Sequence, residues 1–169
     1  MARGKSTKST SKSKGASPDS TDAISLLTQD HRKVDKLFKQ FESLKDDNGK
    51  SELVETICIE LTVHATVEEE IFYPAARKAL GENGKDLLDE AEVEHAGAKD
   101  LIAQLREADP GDKFYDAKMT VLAEYIRHHV REEEGELFPQ VKESGLDLDS
   151  LGKEMRARNE ELLAEIVEA

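Results

Sequence analysis

The 169-residue sequence has no tryptophan, one cysteine, four prolines and an aromatic content of only 5 %. A single cysteine, Cys58, rules out an internal disulfide framework and is compatible with a reducing cytosol. So few aromatics argue against a β-rich fold, since sheets draw on aromatic and β-branched side chains. No apolar run approaches the roughly 18 residues of a membrane-spanning helix, and the N-terminus lacks the apolar core of a secretory signal. We therefore expect a cytoplasmic protein with no membrane partner.

What is present is charge. Charged residues make up 36 % of the chain and the formal net charge is −13. Residues 1–18 carry five basic residues (Arg3, Lys5, Lys8, Lys12, Lys14) and no acid, so −13 less this +5 leaves −18 on the remainder. A body that acidic repels nucleic acid, and only weak contact through the basic tail is left open. The Ser/Thr/Lys composition of residues 1–20 cannot bury enough apolar surface to offset the entropy of ordering, and predicts a disordered tail. Residues 21–169 form one domain of ordinary size.

From Asp22 onward, apolar residues recur at helical spacing. Ile24, Leu27, His31, Val34, Phe38 and Phe41 mark a first helix, with Asp22 or Thr21 as its N-cap, ending before Asn48-Gly49. A second starts near Ser51, read as its cap, and carries Ile57, Leu61, His64, Glu68 and Phe72 on one stripe as far as Gly81 and Gly84. A third runs from Leu88 through His95 to Leu105, stopped by Asp109-Pro110-Gly111, and a fourth holds Leu122, His129, Glu133 and Leu137 before Gly145. A shorter fifth helix follows Asp149-Ser150. Four long helices with short connections predict an all-α, up-down-up-down four-helix bundle.

The pattern repeats. His64-x-x-x-Glu68 leads to Phe72-Tyr73-Pro74, and His129-x-x-x-Glu133 leads to Leu137-Phe138-Pro139, 65 residues later; His31 and His95 are 64 apart. Residues four apart share a helix face, so each His–Glu pair can grip one ion. Pro74 and Pro139 lack an N–H for the carbonyls of Glu70 and Gly135, which predicts matched bends just past the two pairs.

Four imidazoles and two carboxylates on core-facing stripes would lose several kcal/mol of hydration per ion unless something compensates. Two divalent metals would do so, with Glu68 and Glu133 bridging and His31, His64, His95 and His129 in terminal positions. Nitrogen and oxygen donors without thiolate suit iron or manganese and tolerate zinc. His128 has no counterpart in the first half, where Val63 stands, and is read as surface or outer shell. Tyr125 is read as a core or bundle-edge residue and Cys58 as a small buried hydrophobe.

These residues, His31, His64-x-x-x-Glu68, His95 and His129-x-x-x-Glu133, with Asp30-His31 and the trailing helix, resemble the hemerythrin-like (HHE cation-binding) domain. The resemblance implies a four-helix bundle with a di-iron centre, used in the family for oxygen carriage, oxygen or iron sensing, and nitric oxide or peroxide chemistry. It makes oxygen, nitric oxide or peroxide the expected small-molecule partner, in binding, sensing, oxidative-stress handling or enzymatic turnover. A helical interaction module with a structural metal is the remaining alternative. The respiratory members carry a further His four residues after the third-helix ligand; Lys99 stands there, which argues against a simple carrier.

Overall fold

The computed structural model describes residues 21–169; the expected tail at 1–20 lies outside the described residues. Among the described residues seven α-helices follow in order: α1 (Ala23–Ser43), α2 (Lys50–Val67), α3 (Tyr73–Leu80), α4 (Lys85–Arg106), α5 (Tyr115–Glu132), α6 (Phe138–Glu143) and α7 (Leu148–Glu168). No strand occurs among the described residues. Helices α1, α2, α4 and α5 form the bundle, each packed against its sequence neighbour, with α2 against α4 and α1 against α5 closing it. The fold is the all-α four-helix bundle with an added C-terminal helix.

Local chemistry sets the helix ends. Asp22 caps α1 by accepting a hydrogen bond from the Ser25 amide at 2.8 Å. Ser51 does not cap α2: the helix starts at Lys50, after Gly49 in the left-handed region at φ 78°. The fifth helix is not short. Asp147 caps it, accepting from the Ser150 amide, and its 21 residues equal α1 in length. It packs chiefly on α1 and α2, so it mainly covers the first hairpin.

At the two expected bends the chain stays helical but widens. Single π-helical turns, Glu68–Phe72 and Glu133–Leu137, join α2 to α3 and α5 to α6. The Tyr73 amide reaches the Glu68 carbonyl and the Phe138 amide the Glu133 carbonyl, five residues back. Each turn absorbs one extra residue directly ahead of a proline that cannot donate to the ladder.

The core has two apolar clusters. Ala23, Leu27, Phe72, Leu88, Leu137 and Phe138 centre one, with Leu151 and Met155 of α7. The other gathers Val34, Phe38, Ile57, Leu61, Ile102 and Leu122. Each bundle helix switches from one cluster to the other at its histidine: Leu27 and Val34 flank His31, and Ala91 and Ala98 flank His95. The four histidines form a polar layer between two dry ones.

Candidate metal centre

His31, His64, His95, His129, Glu68 and Glu133 all converge in that layer, and all are at least 93 % buried. Each carboxylate divides its oxygens between two groups of imidazoles. Glu68 turns Oε1 to His64 Nε2 at 3.0 Å and Oε2 to His95 Nε2 at 3.1 Å. Glu133 turns Oε2 to His31 Nε2 at 3.3 Å and Oε1 to His129 Nε2 at 3.4 Å. Two half-sites result, one of His31, His64, Glu68 and Glu133, the other built on His95, His129 and Glu68 with the second Glu133 oxygen alongside.

The outer ring nitrogens have carboxylates of their own. His64 Nδ1 lies 3.1 Å from Asp30 Oδ2, and His129 Nδ1 lies 2.6 Å from Glu94 Oε2. In each hairpin, then, the acid just before the first histidine orients the second. Glu134 stands 3.4 Å from His31 Nδ1 and Glu69 3.8 Å from His95 Nδ1. In the sequence nothing marks these acids: Asp30 and Glu94 simply precede a histidine, and Glu69 and Glu134 sit in acidic runs. Their role depends on contacts between helices, which spacing within one helix does not report.

Tyr73 is the larger omission. Its side chain is fully buried, and the hydroxyl donates to Glu133 Oε1 at 2.6 Å while lying 3.1 Å from Glu68 Oε2, 3.2 Å from His95 Nε2 and 3.4 Å from His129 Nε2. In the sequence it stands only in Phe72-Tyr73-Pro74, the counterpart of Leu137-Phe138-Pro139. The available signal was the broken repeat, since its counterpart is Phe138, whose ring stacks 6.0 Å from His31. The second half-site therefore has an oxygen donor that the first lacks.

Other residues fall outside. His128 is half exposed and contacts Glu94 and Glu132, in keeping with an outer-shell reading. Tyr125 is 44 % exposed and sits at the bundle edge. Cys58 is buried, and burial pushes its thiol up to about 11. Lys99 holds Glu69 at 2.6 and 2.7 Å, so its ammonium faces the surface and not the centre.

A match to the hemerythrin HHE cation-binding domain extends over residues 22–141 and takes in every residue of this layer. The chain belongs to that family. A hemerythrin HHE cation-binding-domain protein of Mycobacterium kansasii, solved by crystallography, superimposes with a TM-score of 0.73, covering 87 % of this chain and 90 % of that one at 23 % identity. An uncharacterised hemerythrin-like protein of Schizosaccharomyces pombe is 25 % identical across 74 % of this chain and 62 % of its own. A DNA nickase of Nostoc is 31 % identical across 69 % of this chain but only 32 % of its own length. The chain thus spans about a third of the nickase.

The HHE residues suit a cation on physical grounds. His64 Nε2 and Glu68 Oε1 lie 3.0 Å apart yet make no hydrogen bond, and His31 Nε2 and Glu133 Oε2 are likewise buried without partners. Orphaned polar atoms at such depth are costly. Donors about 2.0–2.2 Å from a shared ion would stand roughly 3 Å from one another, as these do. Without metal, protons must carry the charge. Burial opposes ionisation of His64, but Glu68 and Asp30 outweigh it and hold the imidazole well above its ordinary range. Burial likewise favours a neutral Glu68, and His64 and His95 override it. Burial and the Glu68 and Glu133 carboxylates keep the Tyr73 phenol protonated.

Proposed function

We propose that this HHE protein is a non-haem di-iron protein that binds or senses oxygen or nitric oxide, or handles iron and oxidative stress. His31 and His64 would hold one metal, His95 and His129 the other, and Glu68 and Glu133 would bridge them. The division of each carboxylate between two imidazole groups carries this reading, because a single ion would need only one such group. The nitrogen and oxygen donor set suits iron, with manganese or zinc as possible substitutes in the same ligands. When bound, the iron pair supplies redox chemistry and open positions for a ligand.

The chain's own residues prepare the place. A cavity of about 30 Å³ lies against all four imidazoles and is walled by Val34, Leu61, Ala98, Ile102 and Ile126. Its size admits one or two heavy atoms and its walls repel bulk water. Asp30 and Glu94 fix the rings of His64 and His129, which sets the donor nitrogens inward.

One observation supports a second reading, turnover of peroxide or nitric oxide at the same centre. Tyr73 holds a proton between Glu68 and Glu133, within the centre itself. The test is metal analysis and an optical spectrum, followed by stopped-flow mixing of the anaerobically reduced protein with oxygen. Two irons per chain and rapid, irreversible oxidation are expected. A spectrum that returns to that of the reduced protein under vacuum would mean a carrier instead, and absence of metal would sink both readings. Sustained consumption of peroxide or nitric oxide would select the second.

A further inference from the structure

A second group of metal-binding side chains lies outside the centre. His128 Nε2 stands 3.3 Å from Glu94 Oε1 and 3.2 Å from Glu132 Oε1, on the outer face of α4 and α5. Elsewhere on the surface, acids near the centre are neutralised: Glu69 by Lys99, Glu70 by Arg158 and Asp35 by Arg127. Among the described residues no Lys or Arg pairs with Glu94 or Glu132. Donor spacing near 3 Å fits ligands on one ion, and one imidazole with two carboxylates suits a divalent metal whose other positions are water.

A narrow cleft of about 10 Å³, room for about one water, is shared by two of these residues and two of the centre. Glu94 and Glu132 line it from outside, His129 and Glu133 from inside. Glu133 is 2 % exposed, and the oxygen it turns toward His129 is Oε1, at 3.4 Å. Glu94 also belongs to both places, with Oε1 toward His128 and Oε2 on His129.

The repeat shows that this arrangement is confined to the second hairpin. The residues 65 positions earlier are Val63 and Val67, each 3 % exposed. Val67 packs in the same apolar cluster as Leu151 and Met155 of α7. Helix α7 thus closes the first hairpin's outer face, and the matching face of the second stays open and carries donors. The ligand cavity is a poorer way in for an ion, because Val34, Leu61, Ala98, Ile102 and Ile126 make up much of its wall and Lys99, a cation, is among its lining residues.

We propose that Glu94, His128 and Glu132 form a peripheral divalent-cation site through which metal enters the buried centre. The inference rests on reading that centre as a metal site. Carboxylates at the mouth concentrate the cation, and Glu94 lies between entry and destination.

The test uses the full chain stripped of metal, with Co²⁺ alone as the probe under anaerobic conditions. The wild type should bind two tight equivalents and a third, weaker one. His128→Ala and Glu132→Gln should lose the third, keep the two tight ones and fill them about tenfold more slowly in stopped-flow absorbance. Glu124→Gln removes the same charge from an exposed position on α5 and should load at the wild-type rate. Unchanged stoichiometry and rate in the His128 and Glu132 variants would overturn the peripheral site and leave the centre standing. Equal slowing in the Glu124 variant would also overturn it, by reducing the effect to net charge. A single wild-type equivalent, abolished by His128→Ala, would uphold the peripheral site and defeat the centre.

Discussion

Two adjacent histidines on α5 illustrate how much one position decides. His129 points between the apolar clusters, whereas the side chain of His128 is 52 % exposed. His129→Ala should strip most of the metal, and His128→Ala should leave two tightly bound at equilibrium, by elemental analysis. Equal loss in both would refute the ligand assignment. Tyr73→Phe recreates the Phe138 of the other hairpin, so it should fold and keep its metals. It also removes the donor to Glu133, which should cost the metal-free protein about 1–3 kcal/mol in denaturant unfolding. Cys58 gives a pH prediction. Its folded thiol titrates near about 11 and the unfolded one near 9.0, so the unfolded chain loses the proton first and this group's effect on stability turns unfavourable as pH rises from 9 toward 11. Thiol reagents at pH 8 should label Cys58 only after denaturation.

At the level of elements, the π turns and α7 set the asymmetry of the centre. Each π turn starts at a glutamate of the buried layer, Glu68 or Glu133, and ends one residue before Tyr73 or Phe138, so the widened turn helps place both side chains in the core. Helix α7 depends on a close approach. A Cβ at Gly152 would fall 2.7 Å from the Thr21 carbonyl oxygen and 2.8 Å from the Ala23 amide nitrogen, both backbone atoms that cannot swing aside. Gly152→Ala should therefore destabilise the protein by about 1–3 kcal/mol and lower its melting temperature by several degrees, with metal content unchanged. Loss of metal in that variant would show that α7 supports the centre and not only the outer face of the first hairpin.

For the molecule as a whole, the buried layer is a compromise between folding and function. Glu68 and Glu133 are nearly inaccessible, and only the imidazoles, Tyr73 and any bound cation can balance them. Metal removal should then lower the melting temperature well below that of the loaded protein, since a ligand at 1,000 times its dissociation constant stabilises by about 4 kcal/mol per site. Identical calorimetric transitions with and without metal would count against a core site. Among the described residues no helix is long and apolar enough to cross a membrane.

The sequence by itself determined the four bundle helices in outline, the tandem hairpins and which six side chains face the polar layer. Those features follow from periodicity along one helix, and a duplicated His-x-x-x-Glu marks which faces must meet. The structure decided what depends on neighbouring helices: Asp30 on His64, Glu94 shared between His129 and His128, and Tyr73 against both carboxylates. It also showed that α7 packs chiefly on one hairpin. The named side-chain contacts join residues 34 to 60 positions apart or, for Tyr73 on Glu68, lie across a π turn that shifts the helical register, so no local spacing rule reaches them.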